Sequence, residues 1–275
     1  MSTKKKELVV KNDFTVSNEF AGMFNTELGL GAAENIDSED IVIPKVHLAQ
    51  ALTPEVSAGT VKAGQYMNSI EKTLVGDSLD MFVIGKVKLW QFYYEIKQGK
   101  KVQKEYLGTI EHTPQNKDLA DIPYIPEELR KRAEEKGVSE DMLIKPDKVL
   151  RFSVLLLEEV LGGFAFPYFV DFKRTSYPAG KQLESIFAKM RSVKLPSYAK
   201  VFTLSSDFVS NDYDYYVKKV GMGRNITTEE LPQVERWLKE LSDNKAKYKA
   251  DESDVNEESY TVEAEATEVN TNQKF

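Results

Sequence analysis

The sequence has no cysteine and only two histidines, His47 and His112. No disulfide framework or thiolate zinc site is therefore available, and metal chemistry would have to rest on carboxylates. No apolar run approaches the roughly 20 residues that a membrane span needs, so no membrane partner is expected. The basic opening Lys4-Lys5-Lys6 is followed by no apolar segment of the kind a secretory signal requires, and the expected compartment is a cytoplasm. Phosphate-cradling glycine loops are missing too. Gly29-Leu30-Gly31 has no strand before it and lacks the third glycine of a dinucleotide fingerprint. There is no Gly-x-Ser-x-Gly elbow and no histidine pair. These absences predict a protein without cofactor or metal, and not an enzyme. One constellation runs against that: Asp80 with Glu95-Ile96-Lys97 has the Asp…Glu-x-Lys order of magnesium-dependent nucleases.

What is present suits a globular body with polar appendages. At 275 residues, with 41% apolar content, the chain is long enough to bury one good core. Its net charge of −7 is unevenly placed. Residues 251–275 carry eight acids and only Lys274 as a base, which accounts for all of it. Residues 150–225 lean the other way, with eleven bases against seven acids. Such asymmetry suggests a body that tolerates polyanions and a tail that repels or mimics them.

Along the chain, residues 1–38 read as a flexible arm and residues 39–245 as the body. Residues 246–275 read as a disordered acidic tail, being charged and without a core-forming period. Strands are expected at 41–48, 58–69, 80–97, 102–110, 149–160, 164–173, 197–205 and 213–220, with a basic loop at 98–101. Residues 111–148 interrupt this rhythm as an insertion, holding a short surface helix over 126–136 with Leu129 and Ala133 on its apolar side. The best helix covers 179–194, its stripe being Leu183, Ile186, Phe187, Met190 and Val193. A last helix carries Leu231, Val234, Leu238 and Leu241, with Thr227 and Glu230 spaced as a capping box. The class is mainly β (α+β), an OB-like small barrel with one core helix and a helical insertion.

The strand over 80–97 organises the rest. One of its registers sets Lys86, Lys88, Trp90, Phe92 and Tyr94 on a common face. Ammonium groups neutralise phosphates and flat rings stack on bases, so this interleaving suits single-stranded nucleic acid. It recurs in Tyr198, Lys200 and Phe202, while Lys173 and Arg174 follow another strand. Because Phe82 and Ile84 on the same register belong in a core, the strand should cross from buried to exposed near Gly85 through a bend or bulge. In the tail, Asp251, Glu252, Asp254, Glu257 and Glu258 would compete with phosphates for the basic groove. Phe275 with its carboxylate would offer partner proteins an anchor.

Order and spacing of several short motifs resemble the OB-fold single-stranded DNA-binding proteins of tailed phages. They are Ile43-Pro44-Lys45-Val46, residues 59–69, Phe172-Lys173-Arg174-Thr175-Ser176-Tyr177 and Pro196-Ser197-Tyr198-Ala199-Lys200-Val201, with the acidic tail closing on Phe275. The resemblance implies cooperative or homodimeric coating of single-stranded DNA in phage replication and recombination, in the host cytoplasm. It also implies recruitment of replication proteins through the tail. Two alternatives stand beside it: a phage virion or assembly protein whose β-barrel binds protein, and the magnesium-dependent nuclease.

Overall fold

The computed structural model describes residues 42–98, 101–113, 116, 125–211, 213–243, 249–250 and 261–263. The expected arm, the loop residues Gly99 and Lys100, and Asp251, Glu252, Asp254, Glu257, Glu258 and Phe275 lie outside the described residues.

The fold is mainly β, antiparallel in its large sheet, with a few helices. It is built on one strand, β5 (Leu79–Gln98), after four short ones: β1 (Val42–Ile43), β2 (Val46–Leu48), β3 (Tyr66–Asn68) and β4 (Leu74–Gly76). Along one edge β5 pairs first with β9 (Lys200–Ser210) through residues 79–82, then with β6 (Lys101–Glu111) through residues 89–98. Its other edge pairs with β7 (Asp147–Leu156) through residues 81–91, and β7 pairs with β8 (Pro167–Lys173). The hairpin of β9 with β10 (Asp214–Asn225) completes the path β8-β7-β5-β9-β10. Two short pieces close the order: β11 (Lys249–Ala250) pairs with β1, and β12 (Thr261–Glu263) pairs with β6.

A closed small barrel is not what forms. The outermost strands, β8 and β10, do not pair with each other. Between them stands the three-stranded sheet β2-β3-β4. Phe169 N donates to Pro44 O at 2.9 Å on the β8 side, and the Gln50 amide exchanges two hydrogen bonds with the Tyr216 backbone on the β10 side. Tyr66 Oη donates to Ser205 O at 2.7 Å. The gap is thus filled by a separate sheet, an arrangement that strand count and period do not encode.

Three cores share β5. The main one collects Met81, Val83, Leu150, Phe152, Val170, Phe172, Phe202 and Leu204 beneath α4 (Tyr177–Ser192). The second sets Phe82, Ile84, Leu155 and Val201 against Val234 and Trp237 of α5 (Leu231–Asp243). The third places Trp90, Phe92, Tyr94 and Leu107 under Leu129 and Ala133 of α2 (Glu127–Glu135). Two short helices remain, α1 (Pro54–Ser57) and α3 (Leu157–Gly162). No described helix is long and apolar enough to cross a membrane.

The local signals for helices hold with small corrections. Thr227 N donates to Glu230 Oε2 at 2.8 Å, which is the return bond of the capping box. α4 begins at Tyr177 with Pro178 in its first turn and ends at Ser192, where Lys194 takes φ +58°. Leu183 and Met190 are buried as the stripe requires, but Val193 lies past the helix end and is 65% exposed. The strand expected over 149–160 stops at Leu156, because residues 157–162 turn into α3. Gly180 brings α4 onto the sheet. A Cβ there would stand 2.8 Å from Phe172 Cβ and 3.1 Å from Leu150 Cδ1. Gly180→Ala should therefore lower stability by about 1–3 kcal/mol through overpacking, despite alanine's better helix propensity. A urea midpoint equal to or above the parent's would disprove that close approach.

Candidate nucleic-acid interface

The face of β5 that begins at Gly85 can be followed residue by residue. Pairing with β7 shifts register between Val83 and Gly85, where a Cβ would press on Ser153 Oγ at 3.1 Å. The irregularity falls at the point where the sequence predicts the change from buried to exposed. Beyond it, Lys86 and Lys88 stand opposite Phe152 and Leu150 and emerge beside α4, with side chains 38% and 41% exposed. Both reach Glu184, Lys86 at 2.8 Å and Lys88 at 3.4 Å, and Lys181 meets the same carboxylate at 2.7 Å. Burial pushes the Glu184 carboxyl up, but hydrogen bonds from Lys181 and Lys86 and the charge of Lys88 outweigh it and hold the group at about 2. Three ammonium groups share one carboxylate.

The aromatic half of the face is placed otherwise than expected. Trp90 is fully buried, and Phe92 and Tyr94 are 2% and 3% exposed. His112 stacks on the Trp90 indole at 5.2 Å between centroids, and Lys148 Nζ lies over the ring at 5.0 Å. The expectation of rings open to bases is corrected for all three. The cover is α2, whose Leu129 meets Gly108 of β6 and whose Ala133 completes the cluster. The insertion that reads as a surface excursion is the lid of this third core. Burial also pushes the Tyr94 hydroxyl up to about 12, assisted by its hydrogen bond to Glu105.

Tyr198, Lys200 and Phe202 do not share one open face. Residues 197–199 form a 3-10 turn, so the alternation does not start at Tyr198. Phe202 is fully buried, edge-on to Phe187 at 5.4 Å, while Tyr198 packs on the second core. Lys200 stays at the surface, its Nζ 2.7 Å from Asn225 Oδ1. Lys173 donates to Gln91 Oε1 and Tyr93 Oη at 3.4 Å each. Arg174, at φ +47°, pairs with Asp147 at 2.6 Å and lies over the Tyr93 ring. The nuclease constellation does not assemble. Asp80 accepts from Thr203 Oγ1, whereas Glu95 pairs with β6, 15 residues further along the same strand, about 50 Å if straight.

Two features escape the sequence reading. Lys145, Asp147, Lys148 and Arg174 surround an open cavity of about 500 Å³ with Trp90, Pro146 and Tyr177. In addition, the β9–β10 hairpin carries exposed rings near its tip, Phe208 at 56% and Tyr213 at 81%. Lys218 N donates to Ser176 Oγ at 3.1 Å, tying this hairpin to the turn that bears Arg174. The signal for the first is the Lys145-Pro146-Asp147-Lys148 run. For the second it is the aromatics flanking the Asp/Ser/Asn turn, whose faces period alone does not assign.

Compared with known families, residues 15–253 match the family described as Pam3 phage gp34-like protein. The chain belongs to that family. No curated protein and no solved structure matches it. The match covers every described element of the gp34-like chain except β12. Affiliation with a phage family is thus shown.

Proposed function

We propose that this gp34-like protein binds single-stranded DNA, and one observation carries the reading: a continuous basic track on the α4 side of β5. It starts with Lys86 and Lys88 beside Lys181. Lys88 stands two residues from Trp90, whose cross-strand partner is Lys148, and the cavity then adds Lys145 and Arg174. Among the described residues, the six cations of this line stand beside two carboxylates, Glu184 and Asp147. Such a line matches a polyphosphate backbone. Phe208 and Tyr213 favour a single strand over a duplex, because unpaired bases expose faces on which rings stack.

Strand order supports the same reading. The β5-β7-β8 meander, then α4, then a β9-β10 hairpin returning to β5, is the order expected of an OB-like architecture opened between β8 and β10. Coating of single strands in phage replication or recombination, as a monomer or homodimer and with replication proteins recruited through the acidic tail, is the role we assign to it.

Fluorescence anisotropy with labelled oligo-dT tests the proposal. Affinity should fall with salt at a log–log slope of about −3 to −4, as about four to six neutralised phosphates require, and a duplex of equal length should bind more weakly. Absence of oligo-dT binding at low salt, or equal affinity for the duplex, would overturn it.

A further inference from the structure

The Trp90 indole N–H is buried and has no hydrogen-bond partner among the described residues. Leaving a buried donor unsatisfied costs about 1–3 kcal/mol, so its presence calls for an acceptor. The other tryptophan provides the contrast. Trp237 Nε1 donates to Ala165 O at 2.6 Å. His112 stacks on the Trp90 ring, Lys148 Nζ stands over it and the side chain is fully buried, so a base cannot stack there. What the indole has left to offer is its edge.

Trp90 also lines the cavity formed with Lys145, Asp147, Lys148, Arg174 and Tyr177. Among the described lining residues, three cations stand with one carboxylate, Asp147, which Arg174 holds at 2.6 Å, and this balance favours an anionic acceptor. Tyr177 opens the 16-residue helix α4, whose first turn receives no side-chain cap. Its dipole adds positive potential to the same wall. We propose that this cavity is an oxyanion site. It seats one phosphate group, with the Trp90 N–H as a neutral donor among Lys145, Lys148 and Arg174. The inference rests on the single-strand reading for its source of phosphate: a phosphodiester of the bound strand. Trp90 is then a hydrogen-bond donor to the backbone rather than a platform for bases.

Two-dimensional NMR of the ¹⁵N-tryptophan-labelled full chain tests this directly, because the sequence has only two indole N–H groups. Trp237→Phe assigns the pair. Oligo-dT should shift the Trp90 indole signal downfield in proton and leave that of Trp237 in place. Trp90→Phe should weaken oligo-dT binding about 10–100-fold, the net worth of one hydrogen bond to a charged group, with the near-ultraviolet signal of the other aromatics retained. Inorganic phosphate is titrated in parallel against chloride at equal ionic strength. If oligo-dT binds by anisotropy while the Trp90 signal stays fixed, the oxyanion site is wrong and the single-strand reading stands. If phosphate shifts the signal but oligo-dT does not bind, the site stands as one for free phosphate and the strand reading falls. If neither ligand moves the signal, the site is wrong whatever the anisotropy shows.

Discussion

Replacing Asp171 by alanine should lower the stability of the fold by about 3–5 kcal/mol, because it removes one partner of a buried, doubly hydrogen-bonded ion pair. Arg151 donates twice to the Asp171 carboxylate, both at 2.7 Å, and the two side chains are 9% and 8% exposed. Lys45, itself 5% exposed, contributes its charge, and Lys218 Nζ donates to the Asp171 carbonyl at 2.6 Å. Burial alone would push this carboxyl up. The neighbouring Arg151, with Lys45 and Lys218, more than offsets it and holds the group well below the usual carboxylate range. A depressed folded value means that the contribution is complete above the unfolded value of about 4 and declines as pH falls below it. The gap in urea stability between the parent and Asp171→Asn should therefore be full at neutral pH and narrow under acid. The double variant Arg151→Met, Asp171→Leu should recover part of the loss, since removing both charges also removes their desolvation cost while Lys45 stays charged and buried. A single variant within about 1 kcal/mol of the parent, the worth of an exposed pair, would sink the account.

Converting Lys86 and Lys88 together to glutamine should weaken oligo-dT binding about 60-fold at about 50 mM salt. Each phosphate left un-neutralised on a single strand changes log K by about 0.7 per decade of salt, which is about 8-fold per charge at that concentration. The opposite change is the sharper test. Glu184 already occupies the place of a phosphate between Lys86, Lys88 and Lys181, and its low value keeps it charged under any binding condition. Glu184→Gln should tighten binding about 8-fold by removing that internal competitor. Partly exposed ion pairs stabilise the fold by only about 0–1 kcal/mol each, so the variant stays folded. If oligo-dT binds the parent and neither variant changes its affinity, the track lies elsewhere on the protein.

The sequence made β5 legible in length and in the irregularity at Gly85, since both are written within one continuous strand. The capping box at Thr227 and Glu230 and the buried positions of α4 were legible for the same reason. Face assignment failed where the cover comes from far along the chain. Trp90, Phe92 and Tyr94 alternate with lysines as stacking residues would, yet α2, a distant segment, closes over them. Phe202 failed for a related reason. β9 is buried on both sides, with Val201 in the core under α5 and Phe202 in the core under α4, so alternation there separates two interiors rather than an interior from solvent. The cavity at Trp90 needed three separated segments, the start of β7, the turn at Arg174 and the middle of β5, and no local pattern joins them.

The division of β5 among three cores has a thermodynamic side. Its first residues are clamped beneath α4 and α5, and its aromatic stretch is clamped beneath α2. Lys86 and Lys88 sit on the span between these clamps, where the backbone is paired with β7 throughout. A ligand docking on that span meets a main chain already fixed in its bound geometry, and only the lysine side chains have freedom left to lose. β5 is thus a preorganised rail, on which the entropy of ordering was spent at folding rather than at each encounter with a strand.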